Sequence, residues 1–169
     1  SMERPFVRVD SAGSEARVGD WIDDIVDAVS VVSAPGREEG AVAHVKCWAA
    51  AREWCEVRSD AHGNLHVRSG REPKGKPLYF CAHLDHPGFI VELVHDSRVD
   101  LIFRGATGDS PLIGEAVRIS TGGGSVRAVI EGVNQRGAAW TRVTARCDGV
   151  VQAGDLGAWD IGASAEEGE

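Results

Sequence analysis

The chain has 169 residues, 43% of them hydrophobic, and a net charge of −8 at pH 7. That is enough apolar material for one large core or two small ones, and the acidic balance disfavours nucleic acid as a partner. No stretch approaches the ~18 apolar residues of a membrane span, and the charged first residues do not suit a secretory signal, so a cytoplasmic protein with no membrane partner is expected.

Residues 1–17 show no sustained period and read as a flexible arm, with Ser1 ahead of Met2 reading as a residue left by tag cleavage. From Asp20, a plausible N-cap, Trp21, Ile22, Ile25, Val26, Val29 and Val32 recur at helical spacing, with Asp23, Asp24, Asp27 and Ser30 on the opposite face. Ser33-Ala34-Pro35-Gly36 breaks that helix, and a second is predicted over Arg37–Trp54 on a stripe of Val42, Val45, Trp48 and Ala49.

Beyond it the runs become short and extended: Cys55–Arg58, Leu65–Arg68, Leu78–Ala82 and Phe89–Val94. Asp60-Ala61-His62-Gly63-Asn64 is turn chemistry between the first two. Helices followed by such strands suggest the opening of an α/β sheet domain over residues 18–91. From about Glu92 to Gly157 helical periodicity is lost, and Val99–Arg104, Ala116–Ser120, Val126–Val133 and Ala139–Arg146 read as strands of a β-barrel or sandwich. Gly122-Gly123-Gly124 lies between two of them without a following Lys-Ser or Lys-Thr, which favours a hairpin over a phosphate cradle.

Cys47, Cys55, Cys81 and Cys147 have no paired short spacing, so they read as reduced, mostly packed thiols rather than a zinc ribbon or a disulfide framework. No Gly-x-Ser-x-Gly elbow is present, and His44, His62, His66 and His95 have bland explanations in a helix, a turn and a strand end.

The run Tyr79-Phe80-Cys81-Ala82-His83-Leu84-Asp85-His86-Pro87-Gly88-Phe89 is different. Side chains two apart on a strand share a face, so His83 and Asp85 would project together at a strand end where Pro87-Gly88 turns the chain. A neutral imidazole there can bind zinc, and a neighbouring carboxylate can fix its tautomer and raise its basicity. A His-x-Asp triplet alone is common, and most are surface polar pairs.

Taken in order, Ser33–Glu38, Asp60–Leu65, Ala82–Phe89 and Trp159-Asp160-Ile161-Gly162-Ala163-Ser164 resemble the dinuclear-zinc aminopeptidases that assemble as tetrahedral dodecamers, a family including glutamyl aminopeptidases and proteins described as endoglucanases. The resemblance spans about residues 18–167. It implies an α/β zinc-exopeptidase-like sheet domain (18–91), a β-barrel lid or dimerisation domain inserted at 92–157, and a return to the sheet at 158–169. It further implies His83 as a ligand of one of two zinc ions, with cobalt or manganese as possible substitutes, and Asp85 as the orienting carboxylate of the catalytic site. The residue after Asp85 is often acidic in the family and is His86 here, which a strand would point away from His83.

In the family the bridging Asp, the Glu pair that gives the general base and the remaining ligands lie downstream of the Asp-Ile-Gly-Ala motif. This chain stops at Glu169, so an N-terminal part of the enzyme, inactive alone, is expected. Glu166 and Glu167 read as a solvated acidic end rather than that pair. The implied reaction is metal-assisted hydrolysis of the N-terminal residue of peptides. The implied partners are peptide substrates and further copies of the chain, joined through the β domain. The alternatives are a non-catalytic lid and assembly module, or another zinc hydrolase of the same architecture, a carboxypeptidase or an amide deacylase.

Overall fold

The computed structural model describes residues 18–69 and 75–161. The expected arm over 1–17, and Glu166 and Glu167, lie outside the described residues. The chain divides into two compact units, one drawn from residues up to 31 and 41–82, the other from 32–40 and 83 onward.

The first unit contains helix α1 (Val18–Ser30), most of α2 (Glu39–Ala50) and a hairpin of β1 (Cys55–Ser59) and β2 (Leu65–Ser69). α1 begins two residues before the expected Asp20 cap, within the usual fraying of a helix end. α2 is shorter than Arg37–Trp54 at both ends. Arg37 is held in a turn by donating its amide to Ala34 O at 2.7 Å, and past Ala50 the chain tightens into turns from Arg52 N to Ala49 O and Cys55 N to Arg52 O.

Trp21, Ile25 and Ala28 of α1 face Val45 and Trp48 of α2 across an open groove of about 260 Å³. The Arg52 guanidinium clamps its rim by gripping both oxygens of Asp24 at 2.9 and 2.7 Å while lying over the Trp48 ring. The hairpin turn is built by Asp60: Oδ1 accepts from the amides of His62 and Asn64 at 2.8 and 2.9 Å, and Oδ2 from Asn64 Nδ2 at 2.8 Å. Gly63 supplies the positive φ the turn requires.

The predicted strand Leu78–Ala82 does not form. Leu78, Tyr79 and Phe80 are 86%, 87% and 94% exposed and pair with no strand among the described residues. A run apolar on both faces is a strand only when sheet neighbours flank it and layers cover it, and none is present here. The expected α/β sheet is therefore represented, among the described residues, by two helices and one hairpin.

The second unit is a closed six-stranded antiparallel barrel of β3 (Gly88–His95), β4 (Arg98–Arg104), β5 (Ala116–Thr121), β6 (Gly124–Arg136), β7 (Trp140–Cys147) and β8 (Leu156–Trp159), in the order β3-β4-β7-β6-β5-β8. The chain is thus mostly β. Period-2 alternation decides which side chains fill the barrel: Val99, Leu101 and Phe103 from β4 and Thr141, Val143, Ala145 and Cys147 from β7 are buried, while the residues between them face outward. Phe89, Phe103 and Trp159 cluster at one end with centroids 4.6 to 5.2 Å apart. β6 serves β5 with its first half and β7 with its second, and bulges after Ile130 and Val133 bend it around the wall. The glycine run makes the β5–β6 hairpin.

The barrel starts at Gly88 rather than 92 and ends at Trp159 rather than 157. Trp159 packs, partly buried, against the core, and the buried Asp160 bonds Arg118 at 2.5 Å with Arg127 at 3.7 Å. Composition placed the boundary late because Phe89–Val94 looks the same whichever sheet receives it.

Candidate functional site

The site is a short irregular segment, residues 83–87, that leads into β3. His83 and Asp85 are neighbours in it, although the segment is not the strand end that their spacing suggested. The two side chains meet across the i, i+2 spacing although no ladder holds the backbone. His83 Nδ1 lies 2.9 Å from the Asp85 carbonyl oxygen and 3.1 Å from its Oδ1. The carbonyl oxygen can only accept, so Nδ1 donates to it, with the carboxylate close by; in the neutral ring the lone pair is then on Nε2. The His83 side chain is 81% exposed and that of Asp85 33%, so the free Nε2 is open to an incoming group.

The support beneath the pair comes from the turn Ala34-Pro35-Gly36-Arg37, with Pro and a positive-φ Gly at its centre. Arg104 of β4 donates to Pro35 O at 2.6 Å, and Arg37 donates to Gly154 O at 3.2 Å, so the turn is fastened to the barrel at two points. Ser33 is buried beside it, and its Oγ accepts the His86 amide at 3.1 Å. The His86 ring turns its Nδ1 to the same hydroxyl at 3.4 Å, away from the His83 pair. Gly88 is needed where the two segments cross, since a Cβ there would sit 2.2 Å from Ser33 O.

Sequence reasoning read Ser33-Ala34-Pro35-Gly36 as a helix breaker and missed its role as a clamp. The available signal was a Pro-Gly turn with a serine before it.

The remaining histidines have local partners or surroundings of their own. His62 lies in the Asp60 turn, His66 Nε2 is 3.5 Å from Asp60, and His95 Nε2 is 3.2 Å from Asp100. His44 Nε2 is buried with no hydrogen-bond partner among the described residues. All four cysteines are free, as expected of reduced thiols, but the expectation that most are packed fails: Cys47 and Cys81 are exposed, Cys55 is half-buried and only Cys147 is buried. Cys81 is uncovered for the same reason as Leu78 to Phe80, the missing sheet around its segment.

An imidazole held at Nδ1 by a backbone carbonyl or a carboxylate and exposed to solvent is a good zinc donor, and in that respect His83, bonded to the Asp85 carbonyl, fits. The rest of a zinc site is missing among the described residues, where no group of three or more His, Cys, Asp or Glu side chains gathers as a metal requires. No helix of the described residues is long and apolar enough to cross a membrane. A scan against protein-family models and a search of curated proteins each returned no match.

Proposed function

We propose that this chain forms part of a metal-dependent aminopeptidase that removes N-terminal residues from peptides with the help of two zinc ions. In this reading His83 supplies one ligand through Nε2, and Asp85 sets the orientation and tautomer of that ligand. The observation that carries the reading is the His83 pairing, with Nδ1 bonded to the Asp85 carbonyl oxygen at 2.9 Å, the Asp85 carboxylate 3.1 Å away and the imidazole largely exposed. Further support comes from the resemblance of the four motifs to the dodecameric aminopeptidases and from the closed barrel that follows the pair.

When bound, zinc would supply an activated water and polarise the peptide carbonyl. The described residues hold one ligand where about three are usual, so they do not complete the centre. What these residues do themselves is narrower: Asp85 accepts a hydrogen bond from His83 Nδ1, which in the neutral ring leaves the lone pair on Nε2.

The second reading, a non-catalytic lid and assembly module, draws on the barrel's own complete core. Association through open strand edges, one basis for expecting self-assembly, does not apply to the barrel because it is closed. Exposed Leu93, Ile113 and Val150 are the apolar residues such a contact would use.

The test is a titration of the purified chain with zinc, followed by NMR of the histidine side chains, beside a His83→Ala variant. The proposal expects weak binding that shifts His83 Nε2 first and is lost in the variant. Shifts centred on His62, His66 or His95 with His83 unmoved would overturn it.

A further inference from the structure

We infer that Ser33 is a positioning residue for the His83–Asp85 pair, an assignment that rests on the reading of that pair as the functional site. Residues 83–87 belong to no strand, and no backbone to backbone hydrogen bond among the described residues holds them. A side chain must therefore do the work a sheet ladder would otherwise do. Ser33 is 2% exposed, and its Oγ meets the segment on both sides of Asp85. It accepts the His86 amide at 3.1 Å and donates its own proton to Leu84 O at 3.4 Å, with His86 Nδ1 also 3.4 Å away.

One hydroxyl thus pins the peptide units that flank Asp85. The Asp85 carbonyl oxygen accepts the His83 Nδ1 hydrogen bond and its carboxylate lies 3.1 Å from the same nitrogen, so fixing the backbone at 84–86 fixes the acceptor. Ser33 is itself held by the turn that follows it, through Arg104 on Pro35 O and Arg37 on Gly154 O. Rigidity passes from the barrel wall to the turn, from the turn to Ser33, and from Ser33 to the orientation of an exposed imidazole. Packing cannot supply that orientation, because the His83 side chain is 81% exposed.

The experiment is long-range proton–nitrogen correlation NMR of His83 at a pH where imidazole is neutral, in the wild-type chain and in Ser33→Ala and Ser33→Cys, with amide exchange of His86 and thermal unfolding of the barrel in parallel. The wild type is expected to show the tautomer with the proton on Nδ1. Both variants are expected to lose that preference and to exchange the His86 amide about tenfold faster, the scale of one lost hydrogen bond. Barrel strands should stay folded. The cysteine variant keeps the buried volume, which separates loss of the hydroxyl from a packing defect.

A wild-type His83 carrying its proton on Nε2 would overturn the inference whether or not the variants fold. So would an unchanged His83 tautomer in either variant. The readout involves neither metal nor peptide, so a chain whose His83 ignores zinc but keeps a Ser33-dependent tautomer would sink the aminopeptidase reading and leave this inference standing.

Discussion

Asp60 and Gly88 show how single positions hold the local geometry. The Asp60 carboxyl is lowered from 3.8 to about 2, first by the side-chain bond from Asn64 and then, against a desolvation cost, by the amides of His62 and Asn64 and by His66. A depressed carboxylate contributes stability that is fully present above the unfolded value of 3.8 and lost as pH falls through about 2. An NMR titration of the hairpin should therefore show its turn persisting below pH 3.8 and opening near pH 2, and Asp60→Asn should abolish that dependence. Gly88→Ala meets a backbone atom, Ser33 O, rather than a flexible side-chain end. The expected cost is about 1–3 kcal/mol in chemical denaturation, the scale of overpacking, together with loss of the His83 tautomer because Ser33 must move.

Among the elements, the barrel strands were legible because each buries one face and exposes the other, and that alternation is written in the residues of β4 and β7. Leu101, wholly buried in the core, gives the corresponding prediction: Leu101→Ala should destabilise the barrel by about 2–5 kcal/mol, read from its unfolding midpoint. The helices were legible to within a few residues for the same reason, at a different period. Leu78–Ala82 was misread because apolar composition states only that a segment is fit to be covered, and its cover is not among the described residues. At the site, the spacing of His83 and Asp85 was readable from any extended backbone. The Ser33 clamp was not, since it joins residues more than fifty apart through one hydroxyl, and no local pattern encodes such a partner.

On the scale of the whole molecule the two units differ in how much they bury. Among the described residues, the first unit buries Ala41 and Ala49 and leaves the apolar face of α1 largely exposed, whereas the second has a continuous core. Hydrogen exchange should therefore be slow across β3 to β7 and fast across α1, and equal protection of both would contradict this account. With one persuasive ligand in hand, the chain alone should show no aminopeptidase turnover above background on aminoacyl chromogenic substrates with added zinc or cobalt. Turnover that disappears in His83→Ala would mean that the site is more complete than its geometry indicates. The order in which the barrel is stitched has a consequence during synthesis. β8 is the last strand of the barrel to leave the ribosome, yet it bridges β3, the barrel's first, to β5. Until Leu156–Trp159 emerges, the nascent chain carries two raw β edges and an uncovered Phe89 and Phe103, so a translational pause just before that point is when chaperone capture or misassociation is most expected.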